Sequence, residues 1–315
     1  MKHFKLLLVI IPFALISCYQ DMDDNMPRQE NTPDPLDDNQ FITEEGEVFS
    51  TGLSCTGTGN FSTGKTQILN DLEIPEELPE EFDLSEFLPP VGDQGQLASC
   101  SSWAVSYYLK SFQEYLENGE DYSSATTFSP SYTYNQLTMG ECGGTSIAET
   151  LDLVQEQGVS SLALFPYDEN GCSEQPTEEQ IAAATAARIS AFRSLSGENM
   201  LAEMKTLITQ QQPIVIGAYL STEFGTTDSF GLTAYREHVV DYGTGDCHAM
   251  LVVGFSDEYN AFKVVNSWGE NWGSDGFVWI DYAAFENVSD QSTNFRVINN
   301  AYIAYDAVTE LEPEV

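Results

Sequence analysis

An α+β fold is predicted, with helices gathered in the first half of the folded region and strands in the second. Helix start and stop signals recur up to about residue 211, whereas from residue 214 onward short apolar runs rich in Val, Ile and aromatics take over. Helices first and strands second imply two segregated layers, and a cleft between two such lobes is a usual place for a site.

The elements are taken in order. Residues 103–116 read as an amphipathic helix, with Trp103, Val105, Tyr108, Leu109, Phe112 and Leu116 for burial. Ser129-Pro130 is a helix start, Ser as cap and Pro at the first position. Ser146 with Glu149 forms a capping-box pattern opening a helix that Gly158 stops. Thr177 with Gln180 opens another, through an Ala-rich stretch to Arg188, and a further helix covers 198–211 before Pro213. Strands are expected at 214–219, 248–255, 262–266 and 276–280.

The head of the chain differs from the rest. Lys2 and Lys5 precede an apolar stretch, 6–16, too short to span a bilayer comfortably, and Leu15-Ile16-Ser17-Cys18 comes next. This resembles a bacterial lipoprotein signal. Residues 1–17 are then a signal peptide and Cys18 the lipidated N-terminus of an exported, outer-membrane-anchored protein. Asp21, Asp23 and Asp24 resemble a signal that places such lipoproteins on the cell surface. Residues 18–50 are acidic and poor in apolar side chains, which predicts a disordered tether. Residues 51–75 are either a connector or a short pro-segment, and the domain proper runs over 76–310, with a helical lobe at 84–200 and a β lobe at 201–310. Gly59 to Thr66 fits the phosphate-loop pattern, but no strand precedes it and Pro75 cuts short any helix after it, so no nucleotide cofactor is expected.

The net charge of −39 over 315 residues excludes nucleic acid as a partner, since phosphates require a basic surface. Apolar residues make up 42% of the chain, enough for a sizeable core, and a monomer is expected. No metal site and no cofactor are expected.

The chemistry lies in four residues. Cys100 sits just before the long helix, whose N-terminal partial positive charge favours a thiolate. A thiol nucleophile needs a base, and the base needs a group to hold its ring. Of the three histidines, His3 leaves with the signal peptide and His238 lies in a polar stretch with Arg236 and Glu237. His248 opens an apolar strand 148 residues after Cys100 and is the better base. Asn266 closes the next strand and can accept the imidazole N–H, with Trp268 shielding that bond from water. Gln94, six residues before the thiol, has a side-chain amide that with the Cys100 N–H can build an oxyanion hole.

The segments VGDQGQLASCSSWA (91–104), CGG (142–144), FPYD (165–168), HAMLVVGF (248–255) and NSWGENWGSDGF (266–277) resemble the papain-like cysteine peptidases, and the small residues around Cys100 look like the bacterial branch. The resemblance implies a helical left lobe, a β-barrel-like right lobe and an acyl-thioester on Cys100, with His248 as acid and base. It further implies protein or peptide substrates and an extended substrate pairing beside Gly143 and Gly144. Cys247 and Ala249, which flank the base, and Trp268 are then further substrate-binding residues at the cleft wall. A disulfide between Cys142 and Cys172 is implied as well, while Cys55 and Cys247 are left open, paired or free. The expected function is cysteine endopeptidase. A cell-wall peptide amidase and a catalytically silent surface binding module on a peptidase fold are the alternatives.

Overall fold

The structure, a computed structural model, describes residues 39–43, 46–54, 66–195, 197, 199–238, 246–286, 288–290 and 295–307. The signal segment, Cys18, Cys55 and the phosphate-loop lookalike up to residue 65 lie outside the described residues. All of the described elements belong to the unit Asp37–Val315. Among the described residues no helix is long and apolar enough to cross a membrane.

Two short strands come first: β1 (Gln40–Ile42) and β2 (Val48–Ser50) pair antiparallel, with Phe41 opposite Phe49. Next come β3 (Gln67–Ile68) and β4 (Glu81–Asp83). Helix α1 covers 100–118 in three segments: Cys100–Ser102, a π-helical Trp103–Lys110, and Ser111–Asn118. Helices α2 (Pro130–Thr138) and α3 (Ile147–Gln157) pack against it, and α4 (Glu178–Ala184) follows. The cap signals act as read at Ser129 and Thr177, whereas at Ser146 the cap forms without the reciprocal half of a capping box, the Glu149 carboxylate accepting the Ser146 hydroxyl at 2.9 Å. Ser129 and Ser146 accept the N–H groups of Tyr132 and Glu149, and Thr177 with Gln180 closes a full capping box.

Then come β5 (Ile189–Ser194), α5 (Met200–Thr209), β6 (Ile214–Leu220), β7 (Thr226–Thr227) and β8 (Thr233–Tyr235). The chain continues through β9 (Asp246–Ser256), β10 (Ala261–Val265) and β11 (Phe277–Asp281) to β12 (Val288–Asp290), β13 (Phe295–Arg296) and β14 (Ile298–Asp306). The main sheet runs β3-β5-β14-β6-β9-β10-β11-β8-β7, with β4 also on β9. It is antiparallel except where β8 meets β11 and β3 meets β5. Strand β9 is central: α1 and α5 both pack on it, and every residue after Asp246 is buried. A strand covered on both faces reads as a continuous apolar run, which is what 249–253 is.

Helix α1 departs from a simple amphipathic reading. All eight residues of its π segment are buried, whereas Leu116, expected inside, is 39% exposed. The buried Lys110 ammonium needs partners, because an unpaired charge in the interior is costly. It has two, Glu114 at 2.7 Å and Asp306 on β14 at 2.5 Å. With Gln113 Nε2 donating to the Ala304 carbonyl at 2.9 Å, this fixes the helix to the sheet.

Two readings of the head need correction. The disordered tether expected over 18–50 does not extend across its last part: 40–42 and 48–50 are strands, with Phe41 and Ser50 buried. The connector expected over 51–75 is partly built in as well, since Thr51 and Leu53 are buried and β3 joins the sheet edge beside β5. Two phenylalanines suffice to order this acidic stretch because they land on aromatic rings of the domain. Strand β5 also places 189–194 in the sheet, inside the span expected for the helical lobe.

Candidate active site

Cys100 is the first residue of α1, and His248 lies on β9 opposite Ala218 of β6. Asn266 comes directly after β10. The packing of α1 on β9 brings thiol and imidazole to the same wall: the N–H of Ala249, next to the histidine, points at Cys100 Sγ at 3.4 Å. Both Cys100 and His248 are 0% exposed.

The ring of His248 is fixed from several sides. Its Nε2–H donates to Asn266 Oδ1 at 2.6 Å, and Oδ1 also accepts the Ser267 N–H at 2.7 Å. Trp268 stacks on the imidazole at 4.6 Å. With the proton on Nε2, Nδ1 is the basic nitrogen; it is buried and has no hydrogen-bond partner among the described residues. Tyr108, inside the π segment of α1, donates to the Asn266 carbonyl at 2.8 Å and accepts the Gly92 N–H at 3.0 Å. The helix that carries the thiol thereby also holds the turn that carries Asn266, and π turns recur at functional sites.

Gln94 is buried. Its Oε1 accepts from Ser267 Oγ at 2.7 Å, which orients the amide so that Nε2 points into the cleft. Ser267 thus serves both Gln94 and Asn266, a double role that only the assembled loop reveals. The Cys142–Cys172 disulfide is present and ties the segment carrying Gly143 and Gly144 to the loop after Tyr167. Ser101 Oγ donates to the Thr145 carbonyl at 3.2 Å, binding that segment to the start of α1. Cys247 is also disulfide-bonded, with its partner outside the described residues. Cys100 is the free cysteine among the described residues. His238 lies elsewhere, on Asp281 at 3.0 Å.

The cleft is filled. Gln94 Nε2 donates to the carbonyls of Ser50 and Thr51 at 3.0 and 3.1 Å, as well as to Leu97 O at 2.9 Å. Trp268 Nε1 donates to the Ser50 carbonyl at 2.7 Å. Beyond them the segment lies along the other wall. Leu53 N–H donates to the Cys247 carbonyl at 3.2 Å, Thr145 N–H to Gly52 O at 2.9 Å, and Ser54 N–H to Thr145 O at 3.1 Å. The Leu53–Thr145 bridge is parallel. Gly144 admits this approach because a Cβ there would come within 2.7 Å of the Gly52 carbonyl oxygen. The head therefore forms a strap over the thiol, entering past Trp268 and leaving past Thr145.

Occlusion sets the protonation states. Burial pushes the Cys100 thiol up from 9.0 to about 12, outweighing the stabilising N–H groups of Ala249 and Ser101. Burial also holds His248 down at about 4, against the Asn266 bond that favours its charged form. Near neutral pH the strapped site holds a neutral thiol and a neutral imidazole.

A sequence model described as papain family cysteine protease matches residues 78–295. Among similar proteins, the gamete and mating-type specific protein A of Dictyostelium discoideum is 25% identical over 63% of this chain. The match spans 41% of that protein's length, so the chain covers less than half of it. Cathepsin K of Mus musculus is 24% identical, over 75% of this chain and 69% of its own length. Among solved structures, xylellain, a cysteine protease from Xylella fastidiosa, shares 20% identity with a TM-score of 0.60, over 73% of this chain and 87% of its own. The bromelain protease from Ananas comosus, solved in complex with the E64 inhibitor, shares 18% with a TM-score of 0.55, over 73% and 100%. The fold is common to all of these structures.

Proposed function

Because the chain belongs to the papain family of cysteine proteases, we propose that it is a cysteine endopeptidase held latent by its own strap at 39–54. The observation that carries this reading is the Gln94 amide, fixed by Ser267 and occupied by the strap's backbone carbonyls at Ser50 and Thr51.

With the strap displaced, water re-enters and the burial that keeps both groups neutral is relieved. The thiol then gives its proton to His248 Nδ1, and the helix terminus favours the resulting thiolate. The thiolate attacks a peptide carbonyl. The C–N bond breaks as His248 returns the proton to the leaving amine, and water hydrolyses the acyl-thioester with His248 as base. Gln94 Nε2, with the Cys100 N–H, stabilises the tetrahedral oxyanion. Asn266 holds the ring and favours its charged form.

Direction distinguishes strap from substrate. The leaving amine must face His248 and Trp268, so the acyl portion of a substrate lies along Gly143, Gly144 and Cys247. A substrate then runs from the Gly144 wall toward Trp268. The strap runs the other way, from Phe49 on Trp268 to Leu53 on Thr145. Its amide nitrogens face away from the proton donor, so it occupies the site without being cut. A chain that passes both walls also requires a cleft open at both ends, which fits an endopeptidase.

Full chain activated by limited proteolysis is expected to hydrolyse a peptidyl-coumarin amide, and Cys100→Ala is expected to abolish this. Residual turnover in the variant contradicts the assignment, and release of cell-wall fragments in place of peptide cleavage makes the protein an amidase. We further propose, from Lys2, Lys5, the apolar stretch 6–16 and Leu15-Ile16-Ser17-Cys18, that the enzyme is a monomer held on the cell envelope through lipid on Cys18. Mass spectrometry of the N-terminal peptide from its native membrane tests this, and an unmodified Cys18 contradicts it.

A further inference from the structure

Gln94 and the residues that hold His248 lie on separate segments that meet edge to edge. Gln94 N–H donates to the Ser267 carbonyl at 2.8 Å and Gly269 N–H to the Gly92 carbonyl at 3.0 Å, with Asp93 and Trp268 bridged antiparallel between them. Gly92 N–H and the Asn266 carbonyl fall outside these rungs, and the Tyr108 hydroxyl takes both. That carbonyl belongs to the peptide unit whose N–H, on Ser267, donates to Asn266 Oδ1. One peptide unit is thus gripped at both ends. From its two flanking residues hang the groups that set the site: Asn266 Oδ1 on His248 Nε2, and Ser267 Oγ on Gln94 Oε1.

The π segment delivers Tyr108 to this place. Residues five apart on an α-helix point about 140° apart, whereas a turn closed by i→i+5 bonds brings them toward one face. Trp103 and Tyr108 are five apart, and both meet Gly92. The glycine lies against the Trp103 ring with no room for a Cβ, and Tyr108 takes its N–H. Tyr108 is buried, which holds its phenol well above the usual tyrosine range, so the proton stays on the oxygen and keeps donating. A phenylalanine would fill the same space but leave the Gly92 N–H and the buried Asn266 carbonyl without this partner.

We propose that Tyr108 is a positioning residue for peptide hydrolysis: its hydroxyl sets the plane of the peptide between Asn266 and Ser267, so that Gln94 and His248 act on one tetrahedral carbon together. The proposal rests on the peptidase reading above. The oxyanion and the leaving amine stand on different bonds of that carbon, and their partners are Gln94 Nε2 and His248. A rotation of the gripped peptide moves Asn266 and Ser267 in one motion, so both partners leave alignment at once. A misplacement of about 1 Å costs on the order of 10²-fold in rate. The loss falls on the transition state and spares substrate binding. An extended substrate pairs beside Gly143 and Gly144, on a segment held by the Cys142–Cys172 disulfide and Ser101, away from the Tyr108 hydroxyl.

The test uses full chain activated by limited proteolysis and a peptidyl-coumarin amide, with each variant checked for folding by circular dichroism. Tyr108→Phe is expected to lower kcat by about 10- to 10²-fold with KM within about twofold. In a Gln94→Ala background the same change is expected to cost at least about fivefold less than in the wild type, because part of what the hydroxyl aligns is already gone. Tyr107→Phe is the control. It removes a hydroxyl that also donates to a backbone carbonyl, that of Pro90 at 2.7 Å, outside the rungs, and kcat should stay within about twofold. A Tyr108→Phe enzyme with wild-type kcat overturns the proposal, as do losses that simply add to those of Gln94→Ala or that Tyr107→Phe matches. A Tyr108→Phe chain that fails to fold makes the hydroxyl a structural tie and overturns it too. Absence of turnover by the folded, activated wild type overturns the peptidase reading itself, and the positioning role with it.

Discussion

Replacing His248 by Ala in the activated enzyme is expected to lower kcat/KM on a peptide amide by about 10³- to 10⁴-fold, because one group is lost that acts first as base and then as acid. Asn266→Ala removes the Oδ1 that fixes the ring and its tautomer but leaves Trp268 stacked on it, so a smaller loss of about 10²-fold is expected. His238→Ala should leave the rate within about twofold, since that ring is engaged with Asp281 away from the thiol. Steady-state kinetics of the three variants, each checked for folding by circular dichroism, decide the matter. A large loss in His238→Ala with little in His248→Ala would reverse the assignment of the base.

Gly52→Val is expected to unlock the full-length chain without proteolysis. Gly52 has φ +120°, and a Cβ on it would lie 2.4 Å from the carbonyl carbon and oxygen of Ala98. Neither atom can retreat, because they belong to the backbone turn that leads into α1. A β-branched residue must therefore strain the dihedral or lift the strap. At about 2–3 kcal/mol for the dihedral alone, the population of open strap rises by about 30- to 150-fold. The rate at which Cys100 reacts with a peptidyl epoxide in the full chain should rise by a similar factor. An unchanged rate, with the variant folded, would mean that the strap does not control access.

These two predictions draw on different sources. The groups behind the first are legible in the sequence. Gln94, Cys100, His248 and Asn266 sit in local patterns whose spacing is set by a helix start and two strand ends, and the structure brings all four together. Helix caps at Ser129, Ser146 and Thr177 are local hydrogen bonds, so they too can be read from neighbouring residues.

The strap cannot be read in that way. Strands of three residues have no periodicity of their own, and the acidic residues around Phe41 and Phe49 outweigh them in any local window. What orders them is Trp268 and Phe224, about 180 residues or more further along the chain. The π segment of α1 is hidden for a related reason. Its wide turn is set by Tyr108 reaching Gly92 and the Asn266 turn at once, a tertiary constraint that leaves an ordinary helical pattern in the sequence. Strand β5 escapes notice because its outer residues are partly exposed and its partners, β3 and β14, lie at opposite ends of the chain.

The most direct measurement is the rate of Cys100 labelling by an epoxysuccinyl peptide probe at neutral pH, read by mass spectrometry, before and after limited proteolysis releases the strap. In the full chain the thiol is covered and its pKa stands at about 12, so labelling should be very slow. Release of the strap that returns the thiol to 9.0 or below raises the thiolate fraction near neutrality on the order of 10³-fold, and labelling at Cys100 should accelerate at least that much. Rapid labelling of the intact chain, or none at Cys100 after the strap has gone, would contradict a latent cysteine peptidase.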